Sequence, residues 1–478
     1  EVLPEFREFE RASTVVLEAY VRPVMSEYLA RIEKNIPQGS SLRIMNSDGG
    51  VMSASRARSQ SIRTVLSGPA AGVIGGFQLA QEAGFDHVIT LDMGGTSTDV
   101  SLCPGRQIHH TDSDIDGFPV RHRMINIATI GAGGGSIARV DPAGGLHVGP
   151  TSAGAEPGPI LYGFGGKHIT VTDANAYLGR ISPDYFLGGE MPLYPEKVKA
   201  PLTRLGEELK LSPERAALGI IEITNANIER AIRKVSIGQG YDPRDFTIIA
   251  FGGAGPLHVC EVAERLEILR VIIPPQPGVL CAYGLLMADL ILEDTSAVVR
   301  ELSTQTKHFI EGIFQAKEQS ATAQLGSEGV ARKDITLNRL VDARYVGQSF
   351  ELTIPYSKNL EDFFHNAHQE RYGYSFPERT IEIVNLRLQA IGSIPKPIRR
   401  PEPISSLDPS PALVGEKTAL IGDDEPIPFS LYERKRLLPG AVISGPGLIF
   451  QMDSTTYLPP RWEARVDCYQ NLLLEYVK

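Results

Sequence analysis

The stretch from Phe246 to Ile273 constrains the fold more than any other part of the chain. It holds a buried-strand pattern, Phe246–Phe251, then the glycine loop Gly252-Gly253-Ala254-Gly255. A helical pattern from Pro256 to about Leu266 follows, and then a second apolar run, Val271–Ile273. Strand, tight loop, helix and strand in that order are the local signature of an α/β layer.

The 478 residues, 42% hydrophobic and 22% charged, suffice for two or three domains with sizeable cores. The formal net charge of -10 argues against a non-specific grip on nucleic acid or anionic lipid. Cys103, Cys260, Cys281 and Cys468 are scattered and form no C-x-x-C pair, so neither a zinc ribbon nor a dense disulfide framework is expected, and a reducing cytoplasm fits best. The longest apolar stretch, 271–292, is interrupted by Pro274, Pro275, Pro277 and Asp289 and does not read as a membrane span. Residues 1–10 carry no signal pattern and no initiator Met.

Along the chain, apolar spacing predicts a helix over residues 10–34, a short strand at 42–45, and a second helix from Pro69 to Ala83 with Pro in its first turn. His87–Leu91 and Asp99–Cys103 read as a hairpin, and residues 104–168 as loop-rich. Helices are expected at Pro213–Val235 and over 306–330, and strands at Arg344–Ile354 and Ile381–Leu388. The Pro/Ser-rich segment 397–411 reads as a linker or an extended surface path. A domain boundary is expected near residue 335, with a β-rich unit over 336–478.

Two glycine-rich segments carry the chemistry. In Leu91-Asp92-Met93-Gly94-Gly95-Thr96-Ser97-Thr98-Asp99-Val100, glycines at a hairpin tip let a ligand approach the main chain. Gly94, Gly95, Thr96 and Thr98 are the candidate phosphate ligands, and Asp92 and Asp99 the candidate Mg²⁺-side and catalytic groups, since that ion prefers oxygen ligands and retains waters. A plain hairpin turn fits the same residues. Gly252, Gly253, Ala254 and Gly255, between strand and helix, can admit an adenine ring or a phosphate at a helix N-terminus, and His258 three residues on either faces that pocket or makes a structural hydrogen bond. Gly133, Gly134, Gly135 and Ser136 form a further candidate anion-facing loop. Neither a Walker-type loop nor a G-x-G-x-x-G fingerprint is found in these segments.

Other clusters are weaker. Asp112-Ser113-Asp114-Ile115-Asp116-Gly117 begins like a calcium loop but has Arg123 at the twelfth position, so a solvated acidic loop is favoured, also over a metal site with His109 and His110. His365 and His368 read as surface or packing histidines. Asp173 and Asn175 follow a strand expected at 169–172 and are either cleft residues or a helix cap. No nucleophile elbow stands out, which disfavours acyl-enzyme chemistry.

In order, Gly68-Pro69-Ala70-Ala71-Gly72, the Asp92–Asp99 turn, Gly131–Ser136 and a helix around Ala226 leading into Phe251–Pro256 resemble the hydantoinase A / 5-oxoprolinase family. Gly149–Pro159, Val171–Asn175 and Pro274–Ala288 extend that resemblance over nearly the whole chain. It implies an α/β, actin-like nucleotide-binding fold, similar to sugar kinases and heat-shock ATPases, over 1–335. The Asp92–Asp99 turn would be the second phosphate loop and Gly252–Gly255 the adenosine loop, and helices beginning near Pro69 and Ala226 would meet at a hinge. The family's first phosphate loop, of Asp-x-Gly-Gly-Thr type, has no counterpart after Glu1. A separate N-terminal polypeptide, a disordered segment or a removed one would account for that.

The resemblance further implies ATP and Mg²⁺ as cofactors, a hydantoinase B-like partner subunit, and an ATP-dependent hydrolase that phosphorylates the carbonyl of a hydantoin, 5-oxoproline or other lactam before ring opening. The alternatives are the phosphorylating subunit of an acetone- or acetophenone-type ketone carboxylase and a non-catalytic actin-like ATPase or scaffold.

Overall fold

The computed structural model describes residues 2–5, 7–115, 117–421 and 426–477. The chain divides into two compact units, each assembled from three separate segments. The first comprises Glu1–Ser67, His109–Met124 and Met287–Pro397; the second comprises Gly68–Ile108, Ile125–Leu286 and Ile398–Lys478. The units are therefore cut differently from a boundary at residue 335, since 336–397 group with the first and 398–477 with the second.

The second unit is built on an eight-stranded sheet. Its order is Val442–Ser444, Trp462–Val466, Leu472–Tyr476, Arg270–Ile273, Thr247–Phe251, His87–Met93, Thr98–Pro104 and Ile127–Ile130. Thr247–Phe251 runs parallel to both Arg270–Ile273 and His87–Met93. The helix Gly255–Arg265 makes the crossover between the first two, as the strand–loop–helix–strand pattern requires. Central strands reading Ile-Ile-Ala-Phe and Val-Ile-Thr-Leu are buried throughout because helices cover them.

The helix Pro213–Val235 forms where its apolar spacing predicts, opened by Pro213 and by Ser212, whose side chain accepts from the Arg215 N–H. Its buried face includes Ala217, Ile221, Thr224, Ile228, Ala231 and Val235. Ala226 lies within this helix rather than at its start. The helix Ser67–Glu82 carries Gly72, Gly75 and Gly76 on its buried face, and a Cβ on Gly75 would lie 2.9 Å from the backbone nitrogen of Gly284. The small residues thus let this helix and Leu280–Met287 touch backbone to backbone.

The first unit holds a six-stranded sheet, ordered Arg43–Met45, Val51–Ser53, Leu290–Glu301, Ile381–Gly392, Ile335–Tyr345 and Leu352–Pro355. The helices Thr304–Ser327 and Leu360–Tyr372 contribute Ile310, Phe314 and Phe364 to a core shared with Val341, Tyr345 and Leu386.

Several local expectations are corrected. Residues 104–168 are not mainly loop: they contain His109–Ile115, Phe118–Ile125, Ile127–Ile130, Ser136–Val140 and Leu146–Ser152 as strands. The single strand expected over 344–354 is two, Ile335–Tyr345 and Leu352–Pro355, paired antiparallel. The strand expected at 169–172 is instead the start of the helix Val171–Tyr177, with Thr170 and Asp173 forming a reciprocal capping box. The N-terminal helix forms over Glu8–Asn35, yet Val16, Tyr20 and Val24 on its apolar stripe are exposed.

Candidate nucleotide site

The hairpin His87–Met93/Thr98–Pro104 pairs Asp92 directly with Asp99 and Met93 with Thr98, leaving Gly94–Ser97 as its tip. Partners directly opposite in an antiparallel pair project to one face, so two carboxylates stand side by side beneath a glycine turn. Burial raises both above the ordinary carboxylate range; for Asp92 the pKa reaches about 6, with the neighbouring Asp99 charge adding to the rise. The Cys281 thiol donates to Asp92 Oδ2 at 3.3 Å, and burial and the adjacent carboxylate hold that thiol protonated by pushing it up to about 12. Thr129 donates to Asp99 Oδ1 at 2.5 Å. Among the described residues neither aspartate has a Lys, Arg or His in salt-bridge contact.

The two glycine groups around this tip behave differently. Gly94 and Gly95 have nothing within 4 Å of where a Cβ would stand. A Cβ on Gly133 would lie 2.7 Å from the backbone of Gly95 and Thr96, and one on Gly135 would lie 2.9 Å from the Gly95 carbonyl. Gly134 and Gly135 donate their N–H groups to the carbonyls of Gly94 (3.0 Å) and Gly95 (2.6 Å), and Gly133 donates to Ser136 Oγ at 2.8 Å. The loop expected to face an anion thus has all three N–H groups engaged within the protein, and it acts as a brace for the hairpin tip. Thr172 closes the other side, donating through both its N–H and its hydroxyl to the Gly134 carbonyl.

Gly252 sits at φ +75°, and a Cβ there would collide with the Met93 carbonyl and Asp92 Oδ1, so glycine is what lets the Asp92 carboxylate occupy its place. Gly252 donates to the Pro277 carbonyl (3.0 Å) and Ala254 to the Met93 carbonyl (2.9 Å), locking the second glycine loop to the hairpin. The sequence motifs 92–99, 133–136 and 252–255 are therefore brought together in one unit.

With those bonds counted, the N–H groups of Gly95, Thr96, Ser97 and Gly253 have no acceptor among the described residues. Gly95, Thr96 and Gly253 are exposed. Gly95 and Gly253 border a cavity of about 180 Å³ that is also lined by Gly94, Gly134, Thr172, Ala254, Leu257 and Met452. Open main-chain donors at a glycine turn, next to the N-terminus of the helix Gly255–Arg265, can receive a phosphate.

Three candidates are placed elsewhere than a ligand contact requires. Thr98 is buried and its hydroxyl donates to the Ala132 carbonyl at 2.5 Å, leaving Thr96 and Ser97 as the hydroxyls at the tip. His258 is fully buried, with Nδ1 2.8 Å from Asn225 Oδ1 and Nε2 3.2 Å from the Asn175 amide nitrogen; burial lowers its pKa to about 4 and keeps the ring neutral. It makes the structural hydrogen bond. Gly255 is buried as the first residue of its helix.

Sequence reasoning did not single out Cys281 as the partner of Asp92, nor Leu187 and Asp453 on the cavity wall. Leu187 carries φ +49°, a conformation unusual for a bulky side chain, and no sequence signal marks it. Asp453 accepts from the Gly278 N–H at 2.7 Å.

The weaker clusters make contacts of their own within the protein. Asp112 pairs with Arg121, and Asp114 accepts from the Gly117 N–H at 2.8 Å, whereas Asp116 lies outside the described residues. His365 and His368 are packing histidines: His365 Nδ1 meets the Tyr345 hydroxyl and His368 the Tyr374 carbonyl, both at 2.7 Å. Asp173 is a buried cap accepting from the backbone of Ile160, Leu161 and Thr170. Among the described residues no cluster of three or more His, Cys, Asp or Glu could hold a metal ion, and no helix is long and apolar enough to cross a membrane.

Residues 11–294 match the Hydantoinase/oxoprolinase family, and residues 298–477 match the Hydantoinase/oxoprolinase C-terminal domain. The chain is 35% identical to the caprolactamase subunit alpha of Pseudomonas jessenii, covering 98% of this chain and 70% of that protein. It is 30% identical to the 5-oxoprolinase of Saccharomyces cerevisiae, covering 98% of this chain but 38% of that protein. Among solved structures, nucleotide-free acetone carboxylase, described under ATP-dependent acetone carboxylation, superposes with a TM-score of 0.86 at 26% identity, over 100% of this chain and 70% of its own. The ATP-dependent caprolactamase of Pseudomonas jessenii superposes with a TM-score of 0.83 at 33% identity, over 99% and 71%. These likenesses fix the architecture as an actin-like ATPase fold with a β-rich C-terminal region.

Proposed function

The chain belongs to the hydantoinase/oxoprolinase family, and from that premise we propose that it is the subunit that uses ATP to activate a cyclic amide for hydrolysis. The observation that carries the proposal is the Asp92/Asp99 pair beneath the open N–H groups of Gly95, Thr96 and Ser97. Gly94, Gly95, Thr96 and Ser97 receive the phosphates, and Gly253 and Ala254 border the adenosine.

The pair also fits Mg²⁺. Two adjacent carboxylates whose pKa values burial raises, with no neighbouring cation, are stabilised by a divalent ion, and two ligands are enough for one that keeps waters and binds phosphate oxygens. Asp92 and Asp99 would hold it, and bound there it supplies neutralisation of charge on the transferring phosphoryl group.

In the activation step the lactam carbonyl oxygen attacks the γ-phosphorus, a C–O–P bond forms, the bond between the γ-phosphorus and the bridging oxygen breaks, and ADP leaves. Water then adds to the activated carbon, the ring C–N bond breaks with the nitrogen leaving as the protonated amine to give an acyl phosphate, and a second water hydrolyses that acyl phosphate to the carboxylate and inorganic phosphate. The protein's share of the first step is positioning and electrostatics. A hydantoinase B-like partner subunit is the expected companion, as relatives are subunits of caprolactamase and of acetophenone carboxylase.

A second reading, ATP-dependent ketone carboxylation, is favoured by the likeness to acetone carboxylase. Both are tested by measuring ADP release from the assembled enzyme with 5-oxoproline, hydantoins, other lactams, and ketones plus bicarbonate. Release coupled to a ring-opened product supports the proposal, release coupled to a carboxylated ketone replaces it, and nucleotide turnover indifferent to all of them rejects both.

A further inference from the structure

In the second unit, the helix Pro213–Val235, the hairpin Ser136–Val140/Leu146–Ser152 and residues 130–132 enclose a cavity of about 450 Å³. It shares no lining residue with the nucleotide cavity. Its charged wall is of one sign: Arg139, His147, Arg230 and Lys234 line it, and among the described residues no Asp or Glu does, although the chain as a whole carries a formal net charge of -10.

Both elements set basic groups side by side. Arg230 and Lys234 stand one turn apart on one helix face, and Arg139 lies directly opposite His147 in the hairpin register. Each spacing is mildly destabilising unless something of opposite sign lies between. The neighbouring acids are engaged elsewhere. Glu229 pairs with Arg233 and Arg265, while Asp141 pairs with His147 at 2.7 Å and accepts from the N–H groups of Ala143 and Gly145. Among the described residues Arg139, Arg230 and Lys234 are therefore left with no carboxylate in ion-pair contact. Arg230 is aimed by Asn227, also in the wall, whose side-chain carbonyl accepts from its Nη2.

Two guanidinium forks and an ammonium exceed the single charge and two oxygens of one carboxylate. A phosphate group, with three acceptor oxygens and close to two charges, matches them. The rest of the wall is apolar and includes Ile130, Val148, Pro150 and Ala231. A bare ion leaves that surface uncovered, whereas an organic group joined to the phosphate covers it.

We propose that this cavity binds a small organic phosphomonoester, with Arg139, Arg230 and Lys234 on the phosphate and the organic group against Ile130, Val148 and Ala231. Gly131 and Ala132, in the same wall, lead into the Gly133–Gly135 brace, so the occupant rests against the segment that holds the hairpin tip. The site needs no nucleotide and stands or falls separately from the ATP reading.

The test is titration calorimetry on the full chain without nucleotide or Mg²⁺, in about 0.15 M salt so that diffuse attraction is screened, using butyl phosphate, inorganic phosphate and butyrate as probes. Expected are saturable binding of butyl phosphate and weaker binding of both phosphate and butyrate. R230Q and K234Q should each weaken butyl phosphate at least about tenfold, and R230K, which keeps the charge but loses the fork, should weaken it less. Neither residue lies at the hairpin tip, so their effect separates this site from the nucleotide site. K333Q, which removes an exposed charge in the first unit, should leave binding unchanged, and melting midpoints confirm that each variant is folded. Absence of saturable butyl phosphate binding, equal or tighter binding of phosphate or butyrate, a loss in K333Q as large as in R230Q, or undiminished binding in folded R230Q and K234Q would each overturn the proposal.

Discussion

Gly94–Gly95 and Gly133–Gly135 are alike on paper and opposite in use. The first pair stands in open space with the Gly95 N–H free, whereas the second run is pressed against it, with every N–H engaged and no room for a methyl group. Glycine composition therefore identifies where backbones come close without saying what they come close to. At the hairpin tip the missing Cβ leaves space for a ligand; one loop away it leaves space for the hairpin itself.

That contrast can be broken by substitution. The largest effect is expected at the carboxylate between the loops: Asp92→Ala should lower ATP turnover of the assembled enzyme by roughly 10²–10³-fold with an unchanged circular dichroism spectrum. Turnover equal to the parent would remove Asp92 from the site. Gly133→Ala should cost about 1–3 kcal/mol of stability, because its Cβ would meet main chain that cannot yield, and a melting midpoint equal to the parent's would dissolve the distinction between the two loops.

A comparable effect, with a size that depends on pH, is expected for Asp92→Asn. Because the folded pKa is raised from 3.8 to about 6, the ligand-free fold binds the Asp92 proton more tightly than the unfolded chain does. The stabilisation from this group is thus fully present below the unfolded value and is lost as pH rises through about 6. The variant should accordingly gain on the order of 1–3 kcal/mol relative to the parent at pH 7.5 and little at pH 4. Unfolding midpoints of both proteins across that range provide the measurement, and a constant difference would show that Asp92 is not the group perturbed. The smallest change in the fold is expected from Gly95→Ala, within about 0.5 kcal/mol, accompanied by a several-fold rise in KM for ATP. An equal loss of stability in Gly95→Ala and Gly133→Ala would again erase the comparison.

Much of this site could be read from the sequence because strand–glycine–helix punctuation is local. The parallel pair around Gly252–Gly255 and the Asp92/Asp99 hairpin follow from patterns a few residues long, and both appear in the structure. What escaped depends on distant partners. Thr98 looks like a phosphate ligand until Ala132, far along the chain, takes its hydroxyl, and His258 until Asn225 and Asn175 close around its ring.

The strands between 104 and 168 were hidden for another reason. His109–Ile115 reads His-His-Thr-Asp-Ser-Asp-Ile, a polar half-buried strand without the alternation that marks a core face. Asp173 follows apolar Ile169 and Val171, which imitate a strand, and only the reciprocal bonds with Thr170 reveal a helix start. Arg139 and Arg230 carry no motif at all, since a guanidinium without a carboxylate partner is a property of its surroundings.

The last strand, Leu472–Tyr476, occupies an interior position in the eight-stranded sheet, between Trp462–Val466 and Arg270–Ile273. A ribosome delivers it long after Arg270–Ile273. Until then, Arg270–Ile273, one strand away from the one that leads into Gly252, waits with an open edge, buried in the finished protein but bare in the nascent one. The second unit therefore cannot mature from its beginning forward. Holdase chaperones that shield apolar edges should therefore engage this protein once Arg270–Ile273 has emerged, and release it only after Leu472–Tyr476 has been made.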